Sequence, residues 1–257
     1  MAAYPPTVRL VQLTDFHLFA DPAGRLRQVP SLPALEATLR AASQDLSTAD
    51  AVLATGDLVQ DEPGAYAHVA RMLGQLGKPV LAIPGNHDDA RALTRSLAHP
   101  PFATCGSHDF GNWRIVMLDS SVAGKAAGRL AETELLRLDD ALAAAPGRHA
   151  LVALHHQPVG MESDWLDGIG LENAPALLDI LGRHNGVRGV VFGHVHQAFD
   201  DEHRGMRLMG TPSTCAQFKP RASRFEVDTL PPAWRRITLH ADGSIDTAVG
   251  WVTTPIG

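Results

Sequence analysis

Short apolar runs alternate along the chain with longer segments in which apolar residues recur every three or four positions. The short runs are rich in Val, Ile and Leu and predict buried strands at residues 8–13, 51–54, 80–83, 113–118, 150–154 and 189–192. The periodic segments predict helices at residues 32–46, 65–76, 132–145 and 174–183. Strands that alternate with helices are typical of an α/β fold.

The pattern changes in the last part of the chain. Residues 206–209, 234–240 and 245–249 predict three further strands, and the Asp242-Gly243 pair between the last two predicts a hairpin turn. These strands favour a second sheet that packs on the first. The sequence has no internal repeat and no linker that divides it, so we expect a single domain over residues 1–257.

The composition narrows the classes of function. The chain has 257 residues, 45% of them hydrophobic, and a formal net charge of −6, without the Lys and Arg cluster of a nucleic-acid-binding protein. Cys105 and Cys215 lie far apart and predict buried thiols, not a disulfide or a thiolate metal site. The N-terminus lacks a signal-peptide pattern, and no apolar run approaches the roughly 20 residues of a membrane span. We therefore expect a cytoplasmic protein.

Residues that bind metals follow five of the predicted strands, at the point where each strand ends. They are Asp15 and His17 after the first strand, Asp57 after the second, Asn86 and His87 after the third, His155 and His156 after the fifth, and His194 and His196 after the sixth. Each short motif alone is common in turns and helix caps. Because the carboxyl ends of strands form the ligand crevice of an open α/β sheet, we expect all five to meet at one site.

The residue types at these strand ends indicate which ions the site would bind. A mixed set of carboxylate and amide oxygens with imidazole nitrogens suits iron, manganese or zinc. Bound divalent ions would supply positive charge for an anionic substrate in a chain of net negative charge. Two ions roughly 3.5–4 Å apart need a shared anionic ligand, and Asp57 is the candidate. His194 and His196 alternate on an extended segment, so their side chains point the same way and would serve neighbouring ions.

The order of these motifs resembles a known family. Asp-x-His, Gly-Asp, Gly-Asn-His-Asp, His and Gly-His-x-His follow one another as in the calcineurin-like metallophosphoesterases, and specifically as in the class III cyclic-nucleotide phosphodiesterases. The stretches at residues 13–19, 54–58, 211–220 and 239–243 are similar to those of the bacterial cyclic-AMP phosphodiesterases. The resemblance extends from about residue 8 onward.

The resemblance implies a four-layer αββα sandwich of two mixed sheets with a dinuclear metal site. One ion would be held by Asp15, His17, Asp57 and His196, and the other by Asp57, Asn86, His155 and His194. The implied metals are iron or manganese, with zinc as an alternative. The bound nucleotide would contact His17, Asp57, Asn86, His87 and His196.

The activity that the resemblance implies is hydrolysis of 3′,5′-cyclic AMP to 5′-AMP. A hydroxide shared by the two ions would attack phosphorus in line, since metal binding lowers the pKa of water from about 15.7 toward about 7. His87 would donate a proton to the leaving ribose oxygen, with orientation of neighbouring groups as the alternative role. We expect a supporting role for His156. Gln157 departs from the family, in which His or Pro is frequent at that position, and it puts the surroundings of His155 in doubt.

Other activities fit the same motifs. The alternatives are a phosphodiesterase acting on 2′,3′-cyclic nucleotides or glycerophosphodiesters, and a metal-dependent cyclic-nucleotide sensor without catalysis. A protein serine/threonine phosphatase is disfavoured, because that family follows Gly-Asp with an Asp-Arg-Gly turn, whereas Asp57 is followed by Leu-Val-Gln-Asp. We expect a small cyclic nucleotide as the partner, no nucleic-acid polymer, no membrane, and a monomer or homodimer.

Overall fold

Two six-stranded mixed sheets pack face to face, and helices cover their outer faces. The computed structural model describes residues 7–254, so residues 1–6, which belong to the stretch considered above for a signal peptide, lie outside the described part. This architecture is the predicted four-layer αββα sandwich, and the fold prediction is confirmed. Within residues 7–254, no helix combines the length and the apolar character needed to cross a bilayer.

The elements follow one another in a regular order along the chain. They are β1 (Val8–Leu13), β2 (Arg25–Leu26), β3 (Val29–Pro30), α1 (Ser31–Ala41), α2 (Ser43–Thr48), β4 (Ala51–Thr55), a 3-10 helix (Pro63–Ala65), α3 (Tyr66–Gly74), β5 (Val80–Ile83), α4 (Ala90–Ser96), β6 (Phe102–Thr104), β7 (Gly106–Phe110), β8 (Trp113–Met117), α5 (Glu132–Ala143), β9 (His149–Leu154), α6 (Asp164–Asp167), α7 (Ala174–Arg183), β10 (Val187–Phe192), β11 (Phe199–His203), β12 (Met206–Gly210), β13 (Gln217–Phe218), β14 (Val227–Asp228), β15 (Ala233–Leu239) and β16 (Ile245–Trp251).

Each sheet has a parallel centre, with antiparallel pairing at one edge of the first sheet and at both edges of the second. The first sheet has the order β16-β15-β1-β4-β5-β6, in which β1, β4, β5 and β6 are parallel. The second has the order β11-β12-β10-β9-β8-β7, in which β8, β9, β10 and β12 are parallel. Parallel strands end at the same edge of their sheet, so each sheet presents one row of strand ends to a common crevice.

Alternation along the strands explains how the layers form. In β1, Leu10 lies in the core between the two sheets, whereas Val11 and Leu13 pack against α1 to α4. In β9, Leu151 faces the other sheet and Val152 faces the helices α5 and α7. Because both faces of these strands are covered, they read in the sequence as nearly continuous apolar runs.

The structure differs from the predicted elements in several places. The single helix predicted at 32–46 is two helices, α1 and α2, that meet at Ala42. The apolar pattern does not predict β6, β7, β11 or α4. Two of these, β7 and β11, are sheet-edge strands with polar, partly exposed residues, so they lack an apolar run. The last strands do not build the second sheet alone, since β15 and β16 join the first sheet and β12 the second. The turn predicted at Asp242-Gly243 does connect β15 to β16.

Candidate metal centre

The strand ends that carry the five motifs meet in one crevice, but they come from both sheets. The ends of β1, β4 and β5 belong to the first sheet, and those of β9 and β10 to the second. The seven residues proposed above as ligands all lie there, and six of them are almost completely buried: Asp15, His17, Asp57, His155, His194 and His196. Asn86, the seventh, is partly exposed. The convergence predicted for one sheet is therefore produced by two sheets that face each other.

Three of these residues form a compact group at the β1 and β10 ends. The Nε2 atom of His196 lies 3.2 Å from Oδ1 of Asp15 and 3.2 Å from Nε2 of His17. Nε2 of His17 lies 4.0 Å from the same Asp15 oxygen. One carboxylate oxygen and two imidazole nitrogens thus point at a common position.

A second group lies beside the first and shares Asp57 with it. Oδ2 of Asp57 lies 3.4 Å from Nε2 of His155 and 3.7 Å from Nε2 of His17. The same His155 nitrogen lies 3.3 Å from Oδ1 of Asn86. Asp57 is therefore positioned between the histidine of one group and the histidine of the other, which is the position that a bridging carboxylate requires.

In three of the histidines, a hydrogen bond made by Nδ1 determines which ring nitrogen keeps a lone pair for a metal ion. Nδ1 of His17 contacts Oε1 of Gln60 at 2.8 Å, Nδ1 of His196 contacts the Ala216 carbonyl at 2.6 Å, and Nδ1 of His155 contacts the Thr55 carbonyl at 2.8 Å. Each partner only accepts, so each Nδ1 carries the proton and each Nε2 presents a lone pair. In His194 the pattern is reversed, since Nε2 donates to the Ile169 carbonyl at 3.1 Å and Nδ1 keeps the lone pair.

Electron-pair donors consequently face one another across this crevice. The two Nε2 lone pairs of His17 and His196 stand 3.2 Å apart, and Nε2 of His155 faces an amide and a carboxylate oxygen. Such contacts are repulsive unless a cation lies between them. The donor set therefore fits bound metal ions, and it consists of nitrogen and oxygen ligands without a thiolate.

The electrostatics of the crevice favour neutral forms of His17 and His194 beside charged carboxylates. Burial lowers the pKa of His155 as well, but the charge and hydrogen bond of Asp57 outweigh it and raise the pKa to about 9. Burial raises the pKa of Asp57, but the charge and hydrogen bond of His155, together with His17, outweigh it and hold the pKa well below its usual range. Burial and the neighbouring His156 and His155 hold the pKa of His194 well below its usual range. Burial lowers the pKa of His17 to about 4. Deprotonated imidazoles and ionised carboxylates are the forms that bind metals.

The backbone at the ligands is bent into an uncommon conformation. Five of the seven residues have positive φ angles in the left-handed region: Asp15 at 55°, His17 at 47°, Asp57 at 51°, His194 at 67° and His196 at 49°. Asp and His tolerate this region better than most residues, but each still costs about 1–3 kcal/mol, and such strain clusters at functional sites. Hydrogen bonds with neighbouring groups keep the backbone in this conformation. For example, the Asp15 carboxylate accepts from the His194 amide at 3.1 Å.

Two motif glycines are required because the chain segments approach closely. A Cβ at Gly85 would lie 2.2 Å from Oδ1 of Asp57, and one at Gly193 would lie 2.1 Å from Oγ1 of Thr14 and 2.9 Å from the Thr55 carbonyl. All three distances are under 3.0 Å, which real Cβ atoms essentially never show. The glycines of the Gly-Asn-His-Asp and Gly-His-x-His motifs therefore let the strand ends come together.

The 211–220 stretch, noted above only for its resemblance, supports the first group of ligands. Oγ of Ser213 donates to the Asp15 carbonyl at 2.7 Å. The Ala216 carbonyl orients His196, and the ring of Phe218 stacks on the His196 ring with centroids 3.8 Å apart and an angle of 7°. This stretch thus fixes Asp15 and His196 in place.

Several supporting residues carry no signal in the sequence pattern. Gln60 lies between His17 and His87. Its amide nitrogen lies 2.9 Å from Nδ1 of His87. Asp88, the last residue of its motif, is not aimed at the ligands but accepts from the amides of Leu58 and Gly85 at 3.1 and 2.9 Å. Burial and the nearby Asp57 raise the pKa of Asp88 to about 7.

His87 lies at the rim of the crevice and differs from the ligands in its contacts. Its backbone amide donates to Oδ1 of Asp57 at 2.9 Å, and its Nδ1 lies 3.1 Å from the Asp61 carboxylate in addition to the Gln60 contact. Its side chain is one third exposed. Among residues 7–254, no hydrogen-bond partner contacts its Nε2, and His87 lines an adjoining cavity.

His156 packs beside the ligands, with its ring centroid 4.7 Å from that of His194 and 4.9 Å from that of His155, but both of its ring nitrogens bond to other groups. His156 donates from Nε2 to the Ala126 carbonyl at 3.2 Å and accepts from Oγ of Ser120 at 2.8 Å, so both ring nitrogens are occupied by one loop. Gln157 donates to the Leu166 carbonyl at 2.9 Å. It thereby supports the loop whose Ile169 carbonyl orients His194. The ring nitrogens of His155 contact Thr55 and Asn86 and not Gln157.

Comparison with known proteins identifies the family. Residues 8–198 match the family described as calcineurin-like phosphoesterase. The chain is 40% identical over 245 residues to the 3′,5′-cyclic adenosine monophosphate phosphodiesterase CpdA of Vibrio vulnificus, with 95% of this chain and 89% of that protein covered. It is also 40% identical over 244 residues to the protein of the same description from Escherichia coli K12, with 94% of this chain and 89% of that protein covered.

A solved structure agrees with this assignment at the level of the fold. A dimetal phosphatase from Danio rerio superimposes with a TM-score of 0.67 at 14% identity, covering 96% of this chain and 99% of that one. Enzymes of this class are metal-dependent and use two divalent ions, and the donor set described above is suited to them. The chain belongs to the calcineurin-like phosphoesterase family and, with CpdA relatives over most of its length, is a metal-dependent phosphodiesterase.

Proposed function

We propose that this enzyme hydrolyses 3′,5′-cyclic AMP to 5′-AMP, acting as a single domain of residues 1–257. The observation that carries the proposal is the 40% identity over 94–95% of the chain to proteins named for this activity. All seven candidate ligands converge in one crevice, which supports catalysis over a sensor that has lost part of the site.

The two groups of donors support the proposed ligand sets, to which His194 is added because its ring centroid lies 5.1 Å from that of His155. Asp15, His17, Asp57 and His196 would hold one ion, and Asp57, Asn86, His155 and His194 the other, with iron or manganese as the proposed metals and zinc as the alternative. When bound, the two ions supply the positive charge that neutralises a phosphodiester and lower the pKa of water to about 7. Gln60, Ala216 and Thr55 keep the histidine lone pairs directed inward.

His87 is the proposed proton donor to the leaving ribose oxygen. Gln60 accepts from Nδ1 of His17 through its oxygen, so its amide nitrogen faces His87 and donates to Nδ1 there. The Asp61 carboxylate also lies 3.1 Å from this nitrogen, so Nδ1 is occupied and Nε2 is the ring nitrogen left to donate a proton. His87 lines the adjoining cavity, where a leaving group would be accessible to its side chain.

The substrate is tested with a panel of esters assayed with iron, manganese or zinc. We expect turnover of 3′,5′-cyclic AMP and of bis(p-nitrophenyl) phosphate well above that of p-nitrophenyl phosphate. Preference for 2′,3′-cyclic AMP or for a glycerophosphodiester would replace the proposed substrate within the same fold, and preference for the monoester would reject a diesterase.

The role of His87 is tested by His87→Ala on two diesters. General acid catalysis contributes about 10²–10⁴-fold, so kcat on cyclic AMP should fall by that factor while metal content is retained. Bis(p-nitrophenyl) phosphate should be affected far less, because p-nitrophenolate leaves without protonation. Equal losses on both diesters would contradict the acid role, and loss of metal would make His87 part of the metal site.

A further inference from the structure

A cavity of about 670 Å³ opens directly beside the proposed metal centre. Its inner wall contains Asn86 and His87, and its other walls are formed by residues 59–63, 88–91 and 119–124. We call it the His87 cavity. Its volume lies in the range of about 300–1,000 Å³ that is typical of pockets for small molecules.

The lining of the His87 cavity is suited to an uncharged group. Val59, Pro63, Val122 and Ala123 contribute apolar surface. The charged part of the lining is predominantly acidic, since it contains one cation, Arg91, and four carboxyl groups, those of Asp61, Asp88, Asp89 and Asp119. Negative potential disfavours a phosphate in the cavity itself. A substrate would therefore place its phosphodiester at the ligands and an uncharged portion in the cavity.

Asp119 offers a hydrogen-bond acceptor on the far wall. Its Oδ1 accepts from the backbone amide of Ser121 at 2.8 Å and from the Ser121 hydroxyl at 2.6 Å. Within the described part of the chain, no hydrogen bond is formed by Oδ2. A carboxylate oxygen of this kind accepts from an amine or hydroxyl donor of a ligand.

His156 holds this far wall in a fixed position relative to the ligands. It accepts from Ser120 and donates to the Ala126 carbonyl, and a Cβ at Gly128 would lie 2.3 Å from its ring. The segment 120–128 is thereby tied to the residue that follows His155. The cavity is consequently part of the folded site and does not depend on closure of a loop.

We propose that the His87 cavity is the subsite that binds the nucleoside part of the substrate, with Asp119 accepting a hydrogen bond from it. The inference rests on the proposed hydrolysis of a cyclic nucleotide and names where the nucleoside lies. His87 lines the same cavity, so the ribose oxygen would leave toward the proposed proton donor. His156 is a positioning residue for the subsite.

The subsite is tested by filling it with Ala123→Trp. Ala123 is exposed in a turn in which the Lys125 amide donates to the Val122 carbonyl at 3.0 Å, so a large side chain there does not disturb the core. The KM for cyclic AMP and the inhibition constant of 5′-AMP should each rise about 10-fold or more, which is a loss of about 1.4 kcal/mol or more of binding free energy. The inhibition constant of inorganic phosphate and the metal content should not change.

The matched control is Ala145→Trp, which fills a cavity of about 250 Å³ near the amino ends of β9 and β10, away from the ligands. This variant should bind 5′-AMP and phosphate as the wild type does. If Ala123→Trp also binds 5′-AMP as the wild type does, the subsite is overturned. If the wild type binds 5′-AMP but does not turn over cyclic AMP, the proposed function fails and the nucleoside subsite is still judged by the binding data.

The acceptor role of Asp119 is tested by Asp119→Asn, in which one amide oxygen still accepts from Ser121. The open atom becomes a donor, so the KM for cyclic AMP should rise about 10-fold without a change in phosphate inhibition. Comparison with 2′-deoxy cyclic AMP tells whether the ligand donor is the ribose hydroxyl or the exocyclic amine of the base. An unchanged KM for both nucleotides would overturn the assignment of Asp119.

Discussion

Substitution of Gln60 by alanine tests how the histidine lone pairs are directed toward the metal centre. Gln60 accepts the Nδ1 proton of His17 at 2.8 Å and is partly exposed, so Gln60→Ala removes this hydrogen bond without opening a buried cavity. The His17 ring then loses the contact that fixes its tautomer and its rotation. We expect the ion held by Asp15, His17 and His196 to bind more weakly.

The magnitude follows from what such outer hydrogen bonds contribute to metal binding. Loss of a partner that orients a metal-binding histidine typically reduces affinity by about 10–100-fold, which corresponds to about 1.4–2.7 kcal/mol. In excess metal this difference appears in full in the free energy of unfolding, because the ion binds the folded chain. At about 2–4 °C per kcal/mol for a domain of this size, Tm should fall by about 3–10 °C.

The assay is calorimetric titration of the metal-stripped enzyme with manganese, combined with thermal unfolding in excess manganese and in chelator. One of the two binding steps should weaken, and the Tm difference between variant and wild type should be larger with metal than with chelator. Gln44→Ala, at an exposed glutamine far from the crevice, is the control and should bind as the wild type does. Unchanged affinity in Gln60→Ala would refute the orienting role, and equal weakening of both steps would refute the assignment of His17 to one ion.

Two further predictions concern the shared carboxylate and the cap of α4. Asp57→Asn should reduce the occupancy of both ions and Asp15→Asn mainly that of one, as measured by elemental analysis; equal losses would argue against a bridging Asp57. Asp89 accepts from the amides of Ala92 and Arg91 at 2.8 and 2.9 Å, and Asp89→Ala should lower Tm by a few degrees at pH 7. The Ala92 hydrogen bond lowers the pKa of Asp89, so this stabilisation is complete above about pH 4 and is lost as the pH falls through the lowered pKa. Thermal unfolding of both proteins should show the Tm difference closing in acid, and a difference that stays constant would contradict the capping role.

The sequence by itself determined the fold class and the candidate ligands. Both are local properties of the chain: a buried parallel strand appears as an apolar run, and the residue that follows it lies at the end of the sheet. Asp15, Asp57 and His155 were found in this way, and the structure brings their side chains together. The motif glycines could be recognised as well, although the close approach of Asp57 to Gly85 became visible only in three dimensions.

The tertiary structure decided which strands pair and which side chains support the ligands. The strands β7 and β11 have too few apolar residues to be predicted, because an edge strand needs apolar side chains only where it meets the core. The contact of Gln60 with His87 and that of His156 with Ser120 join residues 27 and 36 positions apart, through loops that have no periodic pattern. Hydrogen bonds of this kind depend on where two sheets place their connecting loops. That placement results from the packing of the entire core and is not encoded in any one segment of the sequence.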